Sequence, residues 1–320
     1  MKKLRVAVVG VGYLGRFHAQ KYASLPEVEL TGVADSDPER AAAVAAEVGT
    51  VPFGDYRELV GKVDAVSVVV PTSMHHQVGA FFLNNGIHLL MEKPITTTVE
   101  EAMDLVNLAR EKDLVLQVGY LERFNPAFVA AATRFEKPGF IDAARVAPYK
   151  TRATDVSVVL DLMVHDIDII CKVFGSRVKS VAASGAMVYS PTADIANARI
   201  EFECGAVANV TASRISLQGD RSMKVFQQDS CISVDFQNRK ATVYSKGEGN
   251  NPDGTPIVRI EELEAPQQDQ ILAEIRAFVD SICNNTPVAV SGEDGVRSLE
   301  IALLVEERIR ENLAVLKAGE

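Results

Sequence analysis

Apolar residues in the first third of the chain fall into short continuous runs separated by stretches with helical spacing. Leu4–Val9 reads LRVAVV, a β-branched run of the kind that forms a strand buried on both faces. The same reasoning predicts strands at Val28–Ala34, Ala65–Val70, His88–Met91 and Leu114–Val118. Between them lie predicted helices over Leu14–Leu25, Pro38–Val48, Met74–Asn85 and Thr98–Lys112. Asp37 is placed to cap the second helix, with Pro38 at its first position. Repeated strand–helix units of this kind build a parallel sheet with helices on both faces.

After about residue 122 the period changes. In Ala198–Cys204, Ile200, Phe202 and Cys204 point one way and Arg199, Glu201 and Glu203 the other. Ala206–Arg214, Ser222–Gln228, Cys231–Phe236 and Lys240–Ser245 read as further strands joined by short turns, the pattern of a mostly antiparallel sheet with one open face. Residues 247–256, rich in Gly, Asn, Asp and Pro, read as a loop. Gln268–Cys283 carries Ile271, Leu272, Ile275, Phe278, Val279 and Ile282 on one side, an amphipathic helix. A last helix runs from about Glu293 to Asn312, with Ser291 and Asp294 spaced as a capping box. The expected fold is α/β. A doubly wound, dinucleotide-binding domain over 1–122 precedes an α+β substrate and oligomerisation domain over 123–320.

Composition narrows the classes of partner. The 320 residues carry a formal charge of −10, which repels phosphate backbones and argues against nucleic-acid binding. The basic, then apolar start MKKLRVAVVGVG is better read as a first strand than as a leader, because glycines follow at once, and no run is long enough to span a bilayer. Cys171, Cys204, Cys231 and Cys283 form neither a disulfide framework nor a metal-ligand pattern. The expectation is a cytoplasmic protein with no metal and no membrane anchor, forming a homodimer or homotetramer through the open sheet face.

Gly10-Val-Gly12-Tyr13-Leu14-Gly15 follows a buried strand and opens a helix, the context in which GxGxxG binds a dinucleotide. Gly10 permits the tight turn, Gly12 lets the backbone approach the pyrophosphate, and Gly15 lets helix and strand pack closely. The pyrophosphate then rests on the helix N-terminus. Asp35 lies at the end of the second strand, twenty residues after Gly15, where a carboxylate accepts hydrogen bonds from the ribose hydroxyls. It would repel a 2′-phosphate, so NAD is favoured, with NADP not excluded.

Four further motifs occur in order: Pro71-Thr72-Ser-Met-His75, Glu92-Lys93-Pro94, Asp161-Leu-Met-Val-His165-Asp-Ile-Asp168 and Ser291-Gly-Glu-Asp-Gly295. Together with the opening GVGYLGRFHA they resemble the Gfo/Idh/MocA family of sugar and cyclitol oxidoreductases over nearly the whole chain. The resemblance implies that Lys93 reaches the reacting hydroxyl and the nicotinamide ribose, that His165 is the general base, and that Asp161 contacts and orients substrate. It also implies that Pro94 shapes the bend that aims Lys93, and that Tyr13, Leu14, Pro71, Thr72 and Glu92 line the cofactor. The chemistry of the residues agrees: oxidising an alcohol needs a base near neutrality, and an ammonium stabilises the developing alkoxide. Taken singly, Lys93 could be a surface lysine, His165 a buried helix histidine and Asp161 a cap. His75 either lies beside the nicotinamide or caps the helix that follows, and His18 either packs or touches the cofactor. Val158, Val159 and Met163 replace smaller residues common in the family, which suggests a tighter pocket.

Gly119–Ala127 and Tyr149–Asp161 are most similar to the branch of the family that oxidises the 3-hydroxyl of UDP-N-acetylglucosamine. Arg123, Lys150 and Arg152 are then candidates to grip a diphosphate, and Phe124 and Asn125 to line the sugar pocket. Arg123 could equally form an ion pair with Glu122 or Asp155. Two other readings remain open: a member of the same family acting on inositol or another free sugar, and a non-catalytic NAD-binding regulator.

Overall fold

The computed structural model describes residues 3–149 and 156–318. They form two units, one of residues 3–121 and 268–299, the other of 122–149, 156–267 and 300–318.

The first unit is built on six strands: β1 (Leu4–Val9), β2 (Val28–Ala34), β3 (Val51–Phe53), β4 (Ala65–Val68), β5 (His88–Glu92) and β6 (Leu116–Gly119). Their order is β3-β2-β1-β4-β5-β6 and every pairing is parallel. This is the doubly wound dinucleotide-binding order, whose chain reversal beside β1 opens a crevice at the carboxyl ends of the strands. Helices α1 (Tyr13–Ala23), α2 (Pro38–Val48), α3 (His75–Asn84) and α4 (Val99–Glu111) join the strands. Asp37 caps α2 as the sequence predicts, accepting from the Glu39 and Arg40 N–H groups at 3.1 Å. Val6, Val8, Ala65 and Leu90 are buried in one cluster with Tyr22 of α1.

That cluster also contains Ile275, Phe278 and Val279 of α7 (Gln270–Cys283). The sequence draws one boundary, after residue 122; the chain crosses between units three times, because the apolar face of α7 packs with α1 and β1. Helix α8 (Gly292–Ala318) starts at the expected capping box, where the Asp294 N–H donates to Ser291 Oγ and the Ser291 N–H to Asp294 Oδ2, both at 3.2 Å.

The second unit is an eight-stranded sheet of β7 (Phe140–Val146), β8 (Val178–Ala186), β9 (Ile195–Phe202), β10 (Val207–Ser213), β11 (Asp220–Gln227), β12 (Ser230–Asp235), β13 (Lys240–Asn250) and β14 (Pro256–Leu263). The order is β14-β13-β12-β11-β7-β10-β9-β8, antiparallel except for the β7–β10 pair. Ile141, Ala143, Ala198, Ile200, Val210, Val225 and Val234 alternate into one face. Helices α5 (Pro126–Ala132) and α6 (Val164–Phe174) pack against the sheet. Phe226, Tyr244 and Ile260 remain exposed. In place of the expected loop at 247–256, β13 continues to Asn250, β14 begins at Pro256, and only the five residues between form the turn. The backbone of this hairpin is paired although nearly all of its side chains are exposed, so no alternation marks it in the sequence. No helix among the described residues is long and apolar enough to cross a membrane.

Candidate active site

The glycine-rich turn, the candidate cradle for a dinucleotide, lies in the first unit, at the carboxyl end of β1. Gly10 has φ +85°, and a Cβ there would stand 2.5 Å from the Val69 carbonyl oxygen. A Cβ on Gly15 would collide with the Gly10 carbonyl. Around Gly12, by contrast, nothing lies within 4 Å of where a Cβ would be, which leaves the backbone open to a close-approaching phosphate. Asp35 Oδ2 accepts the Val11 N–H and Oδ1 the Asp37 N–H, each at 2.9 Å, and Arg40 Nη1 stands 3.3 Å from Oδ1. The carboxylate therefore braces the glycine turn besides ending the second strand. Val11, Gly12, Tyr13, Arg40 and Val44 line a cleft of about 470 Å³ beside it. Open space at Gly12 and a fixed carboxylate at the strand end fit the adenosine and pyrophosphate of a dinucleotide.

The turn after β5 carries Glu92, Lys93 and a cis peptide to Pro94. The Lys93 N–H donates to Glu92 Oε2 at 3.2 Å, and the Lys93 side chain is partly exposed. His75 is buried at the start of α3, with Nδ1 2.9 Å from the Pro94 carbonyl and Nε2 2.9 Å from the Val70 carbonyl. Its imidazole thus ties the Pro94 turn to the loop after β4, where Pro71 and Thr72 lie, rather than merely capping a helix. Burial lowers the His75 pKa, partly offset by those carbonyls. His18 is buried on α1 with Nε2 3.4 Å from Glu92 Oε1, a packing position behind the turn.

In the second unit a π-helical turn, Val159–Met163, leads into α6. Asp161 and His165, four apart, are both partly exposed, whereas Val158, Val159, Met163, Asp166 and Asp168 are buried. The three large apolar residues are therefore packing beneath the helix. Two buried arginines hold α6 through Asp166 and Asp168, just after His165. Arg145 of β7 donates Nη2 to Asp166 Oδ1 at 2.8 Å and Nη1 to Glu122 Oε1 at 2.7 Å. Burial alone would lower the Arg145 pKa, but the charges of Asp166 and Glu122 outweigh it and raise the pKa. Arg123 donates Nε to Asp168 Oδ2 at 2.5 Å and Nη2 to Oδ1 at 2.7 Å. Entry to the helix is fixed by Arg214, whose Nη2 donates to the Val156 carbonyl at 2.7 Å and the Ala193 carbonyl at 3.0 Å, with Nε 3.1 Å from Asp194 Oδ1.

Two substrate assignments read from the sequence change. Arg123 is not available to grip a diphosphate, because its fork is closed on Asp168 and only 5% of its side chain is exposed. Asn125 does not line a sugar pocket: it caps α5 through Oδ1 and donates Nδ2 to Glu122 and the Phe236 carbonyl while buried. Phe124 is partly exposed. Lys150 and Arg152, with Asp155, lie outside the described residues. The sequence reading missed Arg145, Arg214 and Asp194; its one available signal was an arginine on the inward phase of the alternating run 141–145.

Comparison with known proteins decides the family. Residues 4–120 match the model for an oxidoreductase family with an NAD-binding Rossmann fold, and residues 128–232 match the GFO/IDH/MocA C-terminal domain. The chain belongs to the GFO/IDH/MocA oxidoreductase family. It is 41% identical over 306 residues to a UDP-N-acetylglucosamine 3-dehydrogenase of Acidithiobacillus ferrooxidans, covering 95% of this chain and 97% of that one. A solved structure of that dehydrogenase superposes with a TM-score of 0.92 at 41% identity, covering 97% of this chain and 98% of that one. A scyllo-inositol 2-dehydrogenase (NAD(+)) of Bacillus subtilis is 27% identical over 98% of this chain and 96% of its own length. As a GFO/IDH/MocA member the protein is an NAD-binding oxidoreductase.

Proposed function

We propose that this enzyme oxidises the 3-hydroxyl of UDP-N-acetylglucosamine, or of a closely related nucleotide sugar, to a ketone. The observation that carries the reading is the likeness, 41% identical over 95% of the chain, to a UDP-N-acetylglucosamine 3-dehydrogenase. When bound, NAD supplies the hydride acceptor. His165 takes the hydroxyl proton, and the Lys93 ammonium stabilises the oxyanion that forms as hydride leaves carbon. Asp161, one helical turn before His165, accepts hydrogen bonds from the sugar and orients it. Gly10, Gly12, Tyr13, Leu14, Gly15, Asp35, Pro71, Thr72 and the Glu92–Lys93 turn hold the cofactor. With Arg123 engaged by Asp168, the diphosphate falls to Lys150 and Arg152. The first unit binds cofactor and the second binds substrate. The protein works in the cytoplasm as a homo-oligomer joined through the exposed sheet face around Phe226, Tyr244 and Ile260.

The test follows NADH absorbance with UDP-N-acetylglucosamine, myo-inositol and glucose in turn. Turnover of the nucleotide sugar, lowered by roughly 10²–10⁴-fold in Lys93→Ala and His165→Ala, is the expected result. Turnover of inositol alone would move the enzyme to another branch. NAD binding without turnover of any of the three would favour a regulator.

A further inference from the structure

Behind the Glu92–Lys93 turn lies a buried polar cluster that the proposed chemistry does not use. His18 of α1, Glu92 of β5 and Glu274 of α7 each present a nitrogen or carboxylate oxygen within 4.8 Å of the other two. His18 and Glu274 are each 1% exposed. Both ring nitrogens of His18, Oε1 of Glu274 and Oε1 of Gln117 are buried and make no well-formed hydrogen bond among the described residues. Gln117 is beside the cluster, donating Nε2 to the Glu274 carbonyl at 3.1 Å. The Tyr22 hydroxyl is engaged separately, 2.8 Å from Ser67 Oγ. Gly119 of β6 makes the space: a Cβ there would stand 2.9 Å from Glu92 Oε1 and 3.2 Å from Oε2. The Glu92 carboxylate is thus wedged between His18 on one side and bare backbone on the other, with Oε2 on the Lys93 N–H.

We propose that His18 and Glu274 are positioning residues for Lys93: with one retained proton they form a hydrogen-bonded chain that fixes the Glu92 carboxylate, and through it the Lys93 turn. The reasoning is electrostatic. Two carboxylates this close in a dry site cannot both stay charged without a proton or a cation between them. Burial, then the charge of Glu92, raises the Glu274 pKa well above the ordinary carboxyl value. A carboxyl held neutral donates a hydrogen bond, so one retained proton satisfies the site. The inference rests on the proposed role of Lys93.

The test uses the whole enzyme with NAD and UDP-N-acetylglucosamine, and four variants. Gly119→Ala removes no polar group but pushes the Glu92 carboxylate aside; kcat should fall by roughly ten- to a hundredfold, since small misplacements of a reacting group cost that much. His18→Phe should lower kcat comparably, with KM for the sugar nearly unchanged. Glu274→Gln, which mimics the neutral acid, should keep kcat near wild type, whereas Glu274→Ala should not. The infrared spectrum of the wild type at neutral pH should show the carbonyl band of a protonated buried carboxyl, absent in Glu274→Gln. Unchanged kcat in both Gly119→Ala and His18→Phe would overturn the positioning role. A missing infrared band, or a tightly held equivalent of divalent metal lost in His18→Phe, would overturn the proton. If Lys93→Ala retains full activity, the reading of Lys93 fails, and the infrared band still decides what the cluster holds.

Discussion

Arg123 and Asp168 close a two-pronged ion pair at 2.5 and 2.7 Å, with both side chains buried. It joins the short turn Leu121–Phe124 to the helix that carries His165. Such a pair is strongly destabilising to break, because the survivor is left as an uncompensated buried charge. Arg123→Ala or Asp168→Asn should each lower unfolding free energy by about 3–5 kcal/mol in denaturant titration. Replacing both with apolar residues of similar volume should recover most of the loss. Wild-type stability in Arg123→Ala, with selectively weakened nucleotide-sugar binding, would return this arginine to the substrate.

Gly10 cannot carry a side chain without moving β4's following loop. Gly10→Ala meets the Val69 carbonyl oxygen at 2.5 Å in a φ of +85° that L-residues rarely adopt. Calorimetric titration should show NAD affinity reduced about 5- to 150-fold, since strain of this kind costs roughly 1–3 kcal/mol and falls on the binding turn. Undiminished affinity would mean that the cradle lies elsewhere.

Asp35 combines two duties, so its loss should be felt twice. Its oxygens hold the Val11 and Asp37 N–H groups, and the same carboxylate is the expected partner of the ribose hydroxyls. Asp35→Ala should weaken NAD by about 2–3 kcal/mol, the upper part of the range for one charged hydrogen bond, because the glycine turn loosens as well. The ratio of NADP to NAD affinity should rise. Fluorescence titration with NADH and NADPH measures both.

Asp194 supplies an acid-sensitive latch on the entry to the His165 helix. Burial alone would raise its pKa, but the Ser190 hydroxyl and the N–H groups of Tyr189, Val188 and Ser190 bring it down from 3.8 to about 2. A depressed folded pKa means stability that is complete above the unfolded value and lost as pH falls through the folded one. The group should therefore contribute roughly 2 kcal/mol at neutral pH, lost between about pH 4 and pH 2. In Asp194→Asn that acid-dependent part disappears; a stability difference from wild type that stays flat down to about pH 2 would refute the latch.

The buried runs and helical spacing determined five of the first sheet's six strands, all but the three-residue, largely exposed β3, and its four helices, and the glycine motif with Asp35 pointed to a candidate cradle. These features are legible because each is local: a strand buried on both faces must be apolar along its length, and a tight turn over a phosphate must be glycine. The tertiary structure alone decided which sheet α7 covers, since an amphipathic face says that it is buried and not against what. It likewise decided the fate of Arg123, Arg145 and Arg214. A charge in the sequence reads as surface or as a ligand for phosphate; only folding brings Asp168, Asp166 and Asp194 within reach from elements 21 to 45 residues away for the first two pairs and makes the guanidinium groups part of the frame.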